Sequence, residues 1–237
     1  MPRKRGRYYN EIAARSRLRL DAISDGIFGV AMTLLVLTLV VPTAMEVRDA
    51  GDVWHALLRL MPNVVTYFMS FLTLGIFWVA QETQSSEVER TDRDYTWIML
   101  TFLLFVTLVP FSTALLAAYY QSWMAVVEYW FNIFLLGAVN TAAVEYAART
   151  GLFSVARRAI LLPAIRRRAV IAQSLYGIAT ALSIFDTRIS IAAIVLIQLN
   201  YAMAPRPLFL HRLWRQGRGL EARRVIAWSR IPGNGRS

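Results

Sequence analysis

The 237-residue chain is 57% hydrophobic, whereas a soluble globular domain is typically about 45–50% apolar. It contains no cysteine and only two histidines, so disulfides and thiolate metal sites are excluded, and a histidine-based metal site or Ser–His triad is not expected. The net charge of +11 is concentrated at the ends of long apolar blocks, which indicates membrane topology rather than nucleic-acid binding.

These blocks predict an all-α, polytopic membrane protein with six transmembrane helices. A spanning helix needs roughly 17–25 residues, so the last two blocks are marginal. The predicted spans lie at about 23–41, 53–80, 95–119, 123–148, 169–185 and 189–204. The last two are expected to form a hairpin that turns at Asp186-Thr187-Arg188.

The placement of lysine and arginine predicts that both termini are cytoplasmic. With an even number of spans, all but three of the 26 basic residues lie inside; the exceptions are Arg48, Arg59 and Arg188.

Three regions follow from this topology: a basic cytoplasmic N-terminus (1–18), a membrane domain (19–205) and a basic cytoplasmic tail (206–237). The tail mixes Trp214 and Trp228 with many arginines. This pattern favours an amphipathic surface helix on anionic lipid of the inner leaflet over a disordered tail.

A charged cluster leads directly into the first span. Ser24 and Asp25 lie in its first turn, where their side chains can cap free backbone N–H groups and a carboxylate meets the positive end of the helix dipole. Capping does not account for Arg19 or Asp21, and charged groups at a membrane boundary are costly to desolvate. The cluster therefore predicts a hydrogen-bonded network that ties the first helix to its neighbours. Its candidate partners are Gln81, Glu82, Thr96 and Trp97.

An apolar stripe follows on the same helix. Val30, Leu34 and Leu37 are spaced four and three residues apart, so they share one helical face. A stripe of this kind usually faces lipid or packs in the core, although apolar constrictions also gate some channels by excluding water. Spacing alone leaves these alternatives open.

Two carboxylates, Glu128 and Glu145, lie in the fourth predicted span. Intramembrane carboxylates mark ion or proton paths, but both residues lie near the ends of the span, which favours placement at the membrane interface. Asn132 and Asn140 lie deeper and are expected to form hydrogen bonds between helices rather than to bind ions. The sequence contains no nucleotide-binding loop, zinc-protease motif or hydrolase elbow, so an enzyme is not expected.

The first helix resembles that of the prokaryotic transmembrane protein 175 family. The resemblance extends to about residue 116 and is carried by Arg19-x-x-x-Ile23-Ser24-Asp25-Gly26 and Met32-Thr33-Leu34-Leu35. It implies six-span subunits that assemble as a homotetramer in the cell membrane, with the first helix of each subunit lining a central potassium-permeable pore.

The same resemblance implies roles for single residues. It places the pore constriction at Val30, Leu34 and Leu37. It assigns to Arg19, Ser24 and Asp25 the network that supports the pore helix. Isoleucine is common in the family where this chain has Val30, so we expect a wider ring and weaker selectivity.

The expected function is therefore a passive, potassium-permeable cation channel, with K⁺ as the permeant ion and no cofactor. The alternative is a secondary, proton-coupled transporter. A transporter would need discontinuous helices and ionisable groups near the midplane, for which the candidates are Pro110, Glu128 and Glu145.

Overall fold

The computed structural model describes residues 17–40, 50–153 and 155–203. The chain divides into two compact units, 1–199 and 200–237, and the second is described only at residues 200–203. The predicted tail (206–237) lies outside the described residues, as does most of the predicted N-terminal segment (1–18).

Seven α-helices form the described part of the chain, which confirms the all-α prediction. Short 3₁₀ turns at Leu35–Thr38 and Leu182–Ile184 extend the first and sixth helices. In chain order the helices are α1 (Arg17–Leu34), α2 (Ala50–Arg59), α3 (Met61–Ser85), α4 (Arg93–Ala118), α5 (Trp123–Thr150), α6 (Val155–Ala181) and α7 (Thr187–Met203).

Four of these elements are long and apolar enough to cross a membrane: α1 with its 3₁₀ turn, α3, α4 and α5. The remaining apolar helix, α7, has 17 residues, at the lower limit of roughly 17–25 for a spanning helix. The count of six spans therefore stays a prediction.

The boundaries predicted for the second span are wrong at its N-terminal end. The segment 53–80 consists of two helices, α2 and α3, which separate at Leu60. Pro62 lies in the first turn of α3. Proline is well suited to a helix start but interrupts a helix interior, because it has no N–H and its ring clashes with the preceding turn.

The fifth predicted span is the second half of a longer helix. The sequence predicts this span at 169–185, whereas α6 begins at Val155. Arg166, Arg167 and Arg168 are therefore helical, although a hydropathy pattern assigns them to a loop. The predicted turn is shifted, because α6 and α7 are joined at Phe185 and Asp186 and Thr187 already begins α7. The Asp186 carboxylate accepts a hydrogen bond from the Arg188 N–H (2.7 Å). That the two helices pair as a hairpin stays a prediction.

Aromatic packing joins α1, α3 and α4 in the core. The ring of Phe102 lies 6.0 Å from that of Phe28 and 6.2 Å from that of Phe77. A second buried cluster, which includes Met69, Leu116 and Ile194, joins α7 to the same bundle.

The turns after α3 and α5 meet at one end of the bundle. Val88 and Phe153 form an isolated antiparallel bridge, and the Glu89 N–H donates to the Leu152 carbonyl (3.0 Å). Gly151 ends α5 at a φ of 73°, a left-handed conformation that glycine adopts without a Cβ clash. The bridge therefore sets the spacing between the α3–α4 and α5–α6 connections.

Asp92 fixes the start of α4 beside this bridge. Its Oδ1 accepts from the Tyr95 N–H (2.8 Å) and its Oδ2 accepts from the Tyr146 O–H (2.8 Å).

Asp92→Ala should destabilise the protein by about 0.5–2 kcal/mol, the usual range for a lost N-cap, measured as a lower melting temperature in detergent. Asp92→Asn keeps a capping oxygen and should lose much less. Equal losses in the two variants would contradict a capping role.

Candidate pore helix and its anchoring network

The two faces of α1 differ sharply in their surroundings. Leu20, Ser24, Phe28 and Ala31 are buried, and Leu35 in the following 3₁₀ turn is buried as well. These residues are three or four positions apart, so they form one face, which packs against α3 and α4.

The other face carries the apolar stripe predicted from sequence. The side chains of Val30, Leu34 and Leu37 are 59%, 44% and 71% exposed. A Cβ atom placed on Gly26 or Gly29 would meet no atom within 4 Å. The described residues of the chain therefore leave this face of α1 uncovered.

Polar contacts hold the N-terminal end of α1. Asp21 accepts hydrogen bonds from the Arg17 Nε (3.2 Å) and from the Ser85 hydroxyl of α3. The Arg17 guanidinium also donates to the Val88 carbonyl (3.2 Å). One carboxylate thus links α1 to the C-terminal end of α3.

Further contacts continue along the same pair of helices. The Trp78 indole N–H donates to Asp25 Oδ1 (2.9 Å). At the other end of α1, the Asn63 amide donates to the Thr38 carbonyl (3.2 Å). As residue numbers rise along α1, those of their partners fall along α3, so the two helices are antiparallel and held at both ends.

The three residues of the predicted network have three different environments in the structure. Ser24 is buried, and its hydroxyl donates to the Leu20 carbonyl (3.0 Å) within the helix. Asp25 reaches α3 through Trp78. Arg19 is exposed on α1. The joint role of these three side chains stays a prediction.

Sequence reasoning missed four side chains that hold α1 in place, Arg17, Asn63, Trp78 and Ser85. The partners proposed for the carboxylates were Gln81 and Glu82 on α3, or Thr96 and Trp97 on α4. Which residue of α3 meets Asp25 depends on the rotation of one helix against the other. A usable signal existed, because Trp78 and Ser85 are seven residues apart and so share a face at the correct end of α3.

The two carboxylates of α5 have contrasting environments. Glu145 accepts two hydrogen bonds from the Arg166 guanidinium, one of them from Nη2 at 2.7 Å. These bonds raise the pKa of Arg166. Glu128 instead accepts from the Ser112 hydroxyl (2.9 Å), and Asn132 donates to the same hydroxyl (3.0 Å). The predicted interhelical hydrogen bond of Asn132 is thus confirmed.

A buried hydroxyl cluster completes the polar contacts of the bundle. The Tyr129 O–H lies 3.2 Å from the Ser70 hydroxyl and 3.0 Å from the Thr73 hydroxyl. Thr113 donates to Ser70 (2.6 Å), and the Gln198 amide donates to Thr73 (2.7 Å). The cluster links α3, α4, α5 and α7. Among the described residues, no group of acidic or histidine side chains is arranged to hold a metal ion.

Comparison with known proteins identifies the class. A family model described as the endosomal/lysosomal potassium channel TMEM175 matches residues 19–110. A potassium channel of Streptomyces collinus is 33% identical over 195 residues, which cover 80% of this chain and 93% of the relative. A potassium channel of Chamaesiphon minutus is 33% identical over 190 residues, with 78% and 93% covered.

A solved structure agrees with these sequence matches. The crystal structure of a lysosomal potassium-selective channel TMEM175 homologue from Chamaesiphon minutus aligns with a TM-score of 0.70 at 29% identity, covering 79% of this chain and 97% of that one. The fold and sequence therefore define a multi-pass membrane protein of the ion-channel class, not an enzyme. The chain belongs to the TMEM175 family.

The contact between Trp78 and Asp25 is testable by a double-mutant cycle. Trp78→Phe and Asp25→Ala should each lower the melting temperature. Their effects on the free energy of unfolding should couple by about 1 kcal/mol, the usual net value of a hydrogen bond. Trp97→Phe removes an indole N–H from a tryptophan that is 59% exposed, and should have little effect. Strictly additive losses for Trp78→Phe and Asp25→Ala would contradict the contact.

Proposed function

We propose that this chain is a subunit of a passive, potassium-permeable cation channel. Four copies surround a central pore lined by α1 of each subunit, and Val30, Leu34 and Leu37 form apolar constriction rings. The proposal rests mainly on the exposed apolar face of α1, a helix whose opposite face is buried and whose two ends are bonded to α3.

The need for several copies follows from geometry. One chain contributes one such helix, and a single helix cannot enclose a pore. A lipid-facing stripe would be equally exposed in an isolated subunit. Membership of the TMEM175 family favours the pore, because the bacterial relatives of this chain are named potassium channels.

In this proposal the network residues fix the rotation of α1. Asp25 is bonded to Trp78 and Ser24 is buried against the bundle, so the residues on the opposite side are directed away from the subunit. Arg19 precedes Ile23 and Gly26 on the exposed side at helical spacing, and in this proposal its charge lies near the inner end of the pore helix.

Permeation would depend on partial dehydration of the ion. Apolar rings offer no oxygen ligands, so an ion that passes them loses hydration without full replacement. The smaller side chain of Val30 leaves the first ring wider than the two leucine rings. We therefore expect K⁺ to pass down its gradient with modest discrimination against Na⁺.

The membrane setting belongs to the same proposal. We place the channel in the cell membrane with both termini in the cytoplasm, because all but three of the 26 basic residues then lie inside. The basic tail would contact anionic lipid of the inner leaflet.

Flux through purified protein in liposomes tests the pore assignment. Leu34→Ala should raise K⁺ flux severalfold, because it widens a constriction ring. It should also reduce the difference between K⁺ flux and Na⁺ flux. Leu104→Ala is a matched control, since Leu104 is an exposed leucine (57%) of α4, a helix that the proposal does not place in the pore. Equal flux in wild type and both variants would contradict pore lining by α1.

The same assay separates the channel from the alternative transporter. A channel conducts under a K⁺ gradient alone, with flux that rises with the gradient. Flux that saturates and requires a proton gradient would favour the transporter. No flux under any gradient would count against both functions.

A further inference from the structure

Two buried acceptor atoms on α5 have no hydrogen-bond donor. Glu128 Oε2 and Asn132 Oδ1 are both buried and unpartnered. The other polar atoms of the two side chains form hydrogen bonds with Ser112 of α4. The Ser112 hydroxyl donates to Glu128 Oε1 (2.9 Å), and Asn132 Nδ2 donates to the Ser112 oxygen (3.0 Å). Ser112 and Asn132 are only 1% and 6% exposed.

An ionised Glu128 would be costly at this position. A charge inside an apolar segment is stabilised only by a counter-charge or by several hydrogen bonds. In the described structure the carboxylate has one hydrogen bond, from Ser112, and one bare oxygen. Glu145 on the same helix shows the contrast, because it has the Arg166 guanidinium as a partner.

One proton added to Glu128 would give both unpartnered oxygens, Glu128 Oε2 and Asn132 Oδ1, a hydrogen bond. Glu128 and Asn132 are four residues apart, so they are neighbours on one helical face. A protonated carboxyl group gains an O–H donor and keeps its second oxygen as an acceptor. Its O–H can then donate to the Asn132 carbonyl oxygen while its other oxygen still accepts from Ser112.

We propose that Glu128 is a proton-binding site that is a neutral carboxylic acid at neutral pH. Its carboxyl group, the Asn132 amide and the Ser112 hydroxyl then form a closed ring of three hydrogen bonds. Around the ring each side chain donates once and accepts once, from Glu128 to Asn132, from Asn132 to Ser112 and from Ser112 to Glu128. Hydrogen bonds that run in one direction strengthen one another. The bond that the proton adds lies within α5, and it closes the ring whose other two bonds join α5 to Ser112 of α4.

The position of the ring adds to its consequence. Ser112 lies two residues after Pro110, which has no N–H for the backbone ladder of α4. The ring therefore contacts α4 close to a residue that lacks a backbone N–H donor. Among the described residues, Tyr129 is the titratable neighbour that interacts electrostatically with Glu128. Its O–H forms hydrogen bonds with the hydroxyls of Ser70 and Thr73.

Infrared spectroscopy of the full-length protein in liposomes tests this assignment. At neutral pH the wild type should show the carbonyl stretch of a protonated carboxylic acid, shifted in heavy water. Glu128→Gln should abolish the band and Glu145→Gln should leave it. A wild-type spectrum without the band, or a band that persists in Glu128→Gln, would overturn the proposal. The first result would mean a charged Glu128 held by water or a cation.

Thermal stability provides a second readout. The amide of Glu128→Gln can donate to Asn132 and accept from Ser112, so this variant should melt near the wild-type temperature. Glu128→Ala breaks the ring at both bonds and should melt several degrees lower. A Glu128→Gln protein that melts as low as Glu128→Ala would show that the site needs the negative charge, and would overturn the proposal.

Discussion

The contacts that hold α1 against α3 determine which face of α1 is left uncovered. Asp25 accepts from Trp78 near one end of the helix pair, and Asn63 donates to the Thr38 carbonyl at the other. A helix fixed at two points cannot rotate freely about its axis. Phe28 and Leu35 consequently stay in the core, and Val30, Leu34 and Leu37 stay outside it. The proposed pore is thus a consequence of polar bonds on the opposite side of the helix.

The apolar blocks predicted α4 and α5 best. Both ends of these helices lie within a few residues of the predicted spans, and in the structure Asp92 caps the start of α4 and Gly151 ends α5. Hydropathy failed where a helix boundary does not coincide with the end of an apolar block. It merged α2 with α3 across Pro62, and it missed the first half of α6, whose arginines read as a loop.

The anchoring contacts were predictable in kind but not in identity. Charged groups at the start of a membrane segment imply polar partners, and the structure supplies them for Asp21 and Asp25. The partners are Ser85 and Trp78, whose selection depends on how α1 and α3 pack. That packing is set by side chains far apart in sequence, such as Phe28, Phe77 and Phe102, and one sequence does not reveal it.

The two glutamates of α5 show how environment separates residues that look alike in sequence. Both lie near the ends of one helix and both were expected at the membrane interface. Glu145 lies beside Arg166, which neutralises it as an ion pair. Glu128 lies among neutral hydrogen-bonding side chains and has one bare oxygen, so a proton is the simplest means of neutralising it.

The proposed channel requires that the exposed stripe of α1 faces water in a pore rather than lipid. The chain has no native cysteine, so single cysteines can be placed without background. A charged, water-soluble thiol reagent attacks only a hydrated thiolate. If the stripe lines the pore, the reagent should modify Leu34→Cys and block its K⁺ flux, and it should leave Leu104→Cys unmodified and conducting. Equal reactivity at the two positions, or an unreactive Leu34→Cys variant that still conducts, would contradict a water-filled pore lined by α1.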